Sequence, residues 1–197
     1  MKVKASILLL LALVSTYTLS AAFIELDLSP PGTSPATGLH PRNEPILTPS
    51  NGSGGETGRG IYFDTETHQL HFHLSYGSAF GFTDLTEPAF AWLLHGPATT
   101  AETAPAIFDL SPYHNFATDH SRGGTLLGSM QFDSISEASL LAGLDYINIY
   151  TAANPGGELR GQLIVVPEPD VKTLFFLLAL SLLRYPPARP GSAKAKQ

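Results

Sequence analysis

The 197-residue sequence predicts an all-β fold, an antiparallel β-sandwich, flanked by an N-terminal signal helix and a short C-terminal hydrophobic helix. Three observations predict it. Short stretches of strict apolar/polar alternation recur through the middle of the chain. Gly, Pro, Asn and Asp clusters separate them at turn spacing. The two long apolar runs lie at the ends, outside this pattern.

The first strand is expected at Phe23 to Leu28. Residues 29–60 are rich in Pro, Gly, Ser and Thr and read as a long loop. Strand signals follow at Gly60–Phe63 and, after a turn at Asp64–Thr67, at Gln69–Tyr76. In the latter, Leu70, Phe72 and Leu74 take one face and His71, His73 and Ser75 the other. Ala89–His95 is mostly apolar and reads as a buried strand. Strands are expected at Ala106–Leu110 and Leu126–Phe132, and a one- or two-turn helix at Ser136–Ala142. Leu144–Tyr150 alternates again, with Ile147 and Ile149 opposite Tyr146, Asn148 and Tyr150. The last strand, Glu158–Val165, is expected to turn Leu159, Leu163 and Val165 inward and Glu158, Arg160 and Gln162 outward.

Charge narrows the function classes. All five lysines lie in the end segments. Between Phe23 and Val166 four arginines face fifteen carboxylates, a formal charge of −11. Such a stretch repels phosphate backbones and excludes nucleic acid as a partner. The absence of cysteine excludes disulfides, thiolate metal sites and Cys nucleophiles.

The ends carry targeting signals. Lys2 and Lys4 precede an apolar run, Ile7–Val14, and then Ser20-Ala21-Ala22. This order reads as a secretory signal peptide over residues 1–22, cut after Ala22 by signal peptidase; the alternative is an uncleaved anchor. At the other end, Pro167-Glu168-Pro169 precedes a hydrophobic segment (171–183) and a basic tail (184–197) that opens on Arg184. The apolar run Leu174–Leu183 is about half of the roughly 20 residues that span a bilayer, and the following bases favour a cytoplasmic C-terminus. The combination resembles the PEP-CTERM sorting signal of Gram-negative bacteria. That resemblance implies transient membrane anchoring through the tail, cleavage by an exosortase-like enzyme, and delivery to the cell surface or an exopolysaccharide matrix. The tail runs on past the point where that pattern usually stops, and a plain C-terminal anchor is the alternative.

Two further blocks, within 23–166, carry a second resemblance. One is Trp92-Leu93-Leu94-His95-Gly96-Pro97-Ala98. The other runs from Tyr146 to Leu163 and contains Asn148, Asn154-Pro155-Gly156-Gly157-Glu158 and Arg160-Gly161. Together they resemble the signature of the chordin (CHRD) domain. The resemblance implies an immunoglobulin-like or Cu/Zn superoxide dismutase-like Greek-key sandwich acting as an extracellular binding or structural domain. Leu93 and Tyr150 stand where that family's pattern carries two further histidines, which argues against dismutase chemistry. In the second block, Asn154 and the glycines suit a tight reversal between strands, Gly161 leaves room for close backbone approach, and Glu158 and Arg160 share the outer face, where they can pair with each other or with neighbours across strands.

No catalytic residue and no cofactor is expected. His71 and His73, at i and i+2 on one strand, together with His95, are the candidate metal ligands, but no spacing fixes the remainder of a coordination shell. His114, Asp119 and His120 read as solvated loop residues. Tyr62, Tyr76, Tyr113, Tyr146 and Tyr150 offer a stacking platform for sugar. The function expected is a non-enzymatic surface or matrix protein whose partner is an extracellular polysaccharide or surface protein; a metal-binding or redox domain is the alternative.

Overall fold

The computed structural model describes residues 23–117 and 120–167, without the side chains of Phe116, Ala117, His120 and Ser121. The expected signal segment 1–22, and Glu168, Pro169, Arg184 and the rest of 168–197, lie outside the described residues. The chain divides into two units after Val166, and the fold below is that of the first. Among the described residues no helix is long and apolar enough to cross a membrane.

Among the described residues, nine antiparallel strands and one α-helix make the body. The strands are β1 (Phe23–Leu28), β2 (Gly54–Asp64), β3 (Gln69–Tyr76), β4 (Ala89–His95), β5 (Ala106–Asp109), β6 (His114–Ala117), β7 (His120–Gln131), β8 (Tyr146–Thr151) and β9 (Leu159–Val165); the helix α1 is Ser134–Leu141. Hydrogen bonding runs through all of them in the order β5-β4-β8-β9-β1-β2-β3-β7-β6. The antiparallel architecture is as expected, but the strands form one curled sheet rather than two separate ones. The corner is β9. Leu159–Gln162 pair with β8, and Leu163–Val165 pair with β1, so one strand passes from the first half of the sheet to the second.

Curling brings the sheet's two ends together. Edge strands β5 and β6 are joined by the turn Ser111–Tyr113, and an aromatic cluster fills the seam. Trp92 of β4 stacks on His114 of β6 with ring centroids 3.8 Å apart, and its Nε1–H donates to the Tyr76 hydroxyl of β3 at 2.9 Å. That hydroxyl lies 2.7 Å from His114 Nε2. Inside the curl, Leu26, Phe63, Leu74, Leu94, Ile147 and Leu163 form part of one continuous apolar core.

Several local expectations are corrected. Segment 29–60 is not one loop: β2 begins at Gly54 and bulges between Glu56 and Ile61, because Gly58 and Gly60 at φ +58° and +76° let an irregular strand keep its pairing. Helix α1 starts two residues early, since Asp133 caps it through the amides of Ile135 and Ser136. Strand β6 has no alternation, so no periodic signal marks it. His114 is accordingly not solvated: burial in the seam drives its pKa down to about 4. Glu158, Arg160 and Gln162 do not face outward; each is essentially fully buried. Loops cover the far side of β8 and β9, and a period of two cannot reveal such a cover.

Candidate functional site

The second block folds into the β8–β9 hairpin, and Gly161 lets it pack closely. A Cβ there would lie 2.8 Å from Leu28 Cδ2 and 3.2 Å from the Gly38 carbonyl oxygen. Glu158 and Arg160 sit on the buried side, yet they do not pair with each other. Each holds different loops.

Arg160 lies 3.6 Å over the ring of Tyr146. Its Nη1–H donates to the Glu102 carbonyl at 2.7 Å, and Nη2–H donates to the Thr99 carbonyl at 2.9 Å and to Gln162 Oε1 at 3.1 Å. Gln162 donates onward to the carbonyl of Ala98. The first block completes the set. His95 stacks parallel to Tyr146, with centroids 4.9 Å apart, and its Nδ1 lies 2.9 Å from the Ala104 carbonyl. A carbonyl only accepts, so Nδ1 carries the proton, and Nε2 of the neutral ring accepts from the Tyr150 hydroxyl at 2.8 Å. Burial first, and then the charge of Arg160, lower the His95 pKa, which keeps the ring neutral, and the Ala104 carbonyl fixes the tautomer. These side chains hold down the loop 97–105, whose start is Pro97.

Glu158 holds other segments. Oε1 accepts from Ser50 Oγ at 2.6 Å and the Thr86 amide at 2.7 Å. Oε2 accepts from Thr86 Oγ1 at 2.6 Å, Thr151 Oγ1 at 2.5 Å and Asn154 Nδ2 at 3.0 Å. Burial pushes its pKa up, but these donors outweigh burial and the net shift is downward. Asn154 and Pro155-Gly156-Gly157 form the turn from which Glu158 reaches them.

The family model of the CHRD domain matches residues 37–163, well over half of the chain and inclusive of both blocks. The chain belongs to the CHRD domain family. Membership points to a binding or structural extracellular domain. No curated protein and no solved structure matches the chain.

Within this CHRD domain the departures from the family pattern have clear places. Tyr150 caps the His95 imidazole. Leu93 pairs across the sheet with Asp109 and Asn148. The three histidines singled out as ligands are not brought together. His71 stacks on Tyr62 at 4.6 Å. His73, on the same strand, abuts Gly58, where a Cβ would come within 2.2 Å of its Nδ1. Both ring nitrogens of His95, on β4, are committed. Among the described residues no three His, Asp or Glu side chains are grouped to hold a metal. The tyrosines form no common platform either, since Tyr76 and Tyr146 are buried.

One acidic residue that the sequence did not single out joins the site. Glu44 lies against Gly157 and Asn148: a Cβ on Gly157 would be 2.4 Å from Glu44 Oε1 and from Asn148 Nδ2. Burial raises the Glu44 pKa to about 7, against the pulls of Arg160 and the Asn148 amide. It opens a proline-bounded strap, residues 44–49, that separates two grooves. One, of about 240 Å³, reaches Asn154 and Gly157; the other, of about 530 Å³, reaches Pro97 and Glu102. Ile46 and Leu47 at the strap's crest are 83% and 80% exposed. Nothing in the composition of 29–60 separates Glu44 from its loop neighbours.

Proposed function

We propose that this CHRD domain is a non-enzymatic binding module of a surface or matrix protein, and that its loop end is what it presents to a partner. The observation that carries the reading is how the hairpin's polar groups are used. His95, Glu158 and Arg160 spend their hydrogen bonds on the loops around them, and what faces solvent is an apolar crest, Ile46 and Leu47, between two grooves. Exposed large aliphatic side chains beside concave surface favour a partner's contact over catalysis. An extracellular polysaccharide or a surface protein is the partner class. The excess of carboxylates over bases disfavours nucleic acid.

Export through signal peptide 1–22 and sorting through 167–197 complete the proposal. Signal peptidase would cut after Ala22. An exosortase-like enzyme of a Gram-negative host would recognise Pro167-Glu168-Pro169, the segment 171–183 and Arg184, releasing the protein from its membrane stage to the surface or matrix. Intact mass of the native protein from cytoplasm, membrane and medium tests this. The expected product begins at Phe23 and lacks the apolar tail in the outer fractions; full-length protein confined to the cytoplasm defeats it. Replacing Ile46 and Leu47 together by Ser is expected to lower retention in the matrix fraction at least several-fold without altering processing. Unchanged retention removes the crest from the contact.

A further inference from the structure

We infer that Asn51 is a site of spontaneous covalent modification: its carboxamide cyclises onto the amide nitrogen of Gly52, and the hydrogen bond from that amide to Ser50 sets how fast. Asn51-Gly52 is the one Asn-Gly pair in the sequence. A glycine puts no side chain in the way as its own nitrogen approaches the preceding carboxamide, which makes Asn-Gly the most reactive sequence for this cyclisation. Packing favours glycine at that position. A Cβ on Gly52 would lie 3.2 Å from Leu85 Cδ2, 3.2 Å from Ser50 Oγ and 3.3 Å from Glu158 Oε1. The fold therefore places the reactive residue beside Asn51 for steric reasons. Asn51 is exposed and Gly52 is buried, so the carboxamide is at the surface while the residue that supplies the nucleophile is covered.

The reaction needs only water. The Gly52 nitrogen forms a bond to Asn51 Cγ, and its proton passes through water to the side-chain nitrogen, which leaves as ammonia. One water then opens the five-membered succinimide at either carbonyl, giving aspartate or isoaspartate at position 51. Either product carries one carboxylate more than before, and in isoaspartate the backbone is longer by one carbon. The folded loop opposes the first bond. Gly52 N–H donates to Ser50 Oγ at 2.9 Å, and the Ser50 hydroxyl donates in turn to Glu158 Oε1 at 2.6 Å, a charge-assisted contact that orients it. On the other side Ser53 is tied to Thr83 twice, by its own N–H to the Thr83 carbonyl at 3.0 Å and by the Thr83 amide to its Oγ at 2.9 Å. The Asn51–Gly52 peptide is held between these two pins with its N–H directed at Ser50. That bond has to break before the nitrogen can turn to the carboxamide, so the rate follows the population in which the Ser50 contact is open.

The test is peptide mass mapping of the full chain aged at pH 8, with aspartate and isoaspartate at residue 51 counted over time. The native protein is expected to convert Asn51 at least roughly tenfold more slowly than the same chain unfolded in urea. Ser50→Ala is expected to speed conversion several-fold, and Ser50→Thr, which keeps the hydroxyl, to leave it near the wild-type rate. Equal rates in native and unfolded chain overturn the inference, as do equal rates in wild type and Ser50→Ala. If Ser50→Ala fails to fold, the wild type decides alone: across urea concentrations below the unfolding transition, conversion at Asn51 is expected to rise in step with hydrogen exchange of the Gly52 amide, and a conversion rate that stays flat while that exchange rises overturns the inference.

Discussion

Glu44 and Glu158 grip opposite ends of one strap, and both are shielded from solvent, yet their environments push them in opposite directions. Glu158 has hydroxyl, amide and backbone donors on both oxygens and stays ionised. Glu44 has a buried oxygen with no donor and is held near neutrality by desolvation. Burial alone therefore does not decide the charge of a carboxyl. The number of donors aimed at it does: Ser50, Thr86, Thr151 and Asn154 converge on Glu158, whereas only the Asn148 amide and the more distant charge of Arg160 offset burial at Glu44.

The largest way to break this contrast is at Glu158. A glutamine there replaces an acceptor oxygen by an N–H₂ that points at donors, leaving Ser50, Thr86, Thr151 and Asn154 underbonded. Glu158→Gln is expected to cost about 3–5 kcal/mol in urea unfolding near pH 6; a cost below about 1 kcal/mol would show that the donors can re-pair. Arg160→Lys comes next. An ammonium cannot reproduce the fork onto Thr99, Glu102 and Gln162 or the stack on Tyr146. The expected loss is about 2–4 kcal/mol, with faster amide exchange in 97–105 and little change around Ser50. Gly157→Ala strikes the Glu44 side instead. Its φ of +121° is strained for any L side chain, and the new methyl meets Glu44 Oε1 and Asn148. About 2 kcal/mol is expected, with the Glu158 network intact as judged by unchanged exchange at Thr86.

The sequence made one of these carboxyls visible and hid the other. Alternation and apolar runs located β1, β3 and β4 at their observed limits, because each is bounded by turn residues and packs one clear face on the core. The same alternation assigned Glu158 and Arg160 to solvent. Period two says that two faces exist, and only tertiary structure says that loop 97–105 and the strap cover the second. The partners of Glu158 at Ser50 and Thr86 are 108 and 72 residues away in sequence, and no local signal joins them. The signature block drew attention to the hairpin, but only as a turn. Glu44 lies in a Pro-rich run with no periodicity, and its significance comes from Gly157 and Asn148 on the other side of the fold. His114 reads as solvated for the same reason: the seam that buries it exists only after the sheet curls.

The smallest effect sharpens the contrast most, because it appears only as pH rises. Glu44 is raised to about 7 in the folded state from 4.5. Its neutral form is the one the fold tolerates, so its contribution is complete below pH 4.5, declines as pH rises through 7, and is gone above that. Glu44→Gln removes this slope. At pH 5 the variant and the wild type are expected to have equal stability within about 0.5 kcal/mol; at pH 8.5 the variant is expected to be the more stable by about 1–2 kcal/mol. Asp145, fully buried and raised to about 6, adds a loss of the same sign, and His114 adds an opposite loss as pH falls from 6.5 toward 4. Both are present in each protein and cancel in the difference. Urea midpoints of the pair at the two pH values isolate Glu44 alone, and a difference that does not change between pH 5 and 8.5 would place Glu44 in the same ionised class as Glu158.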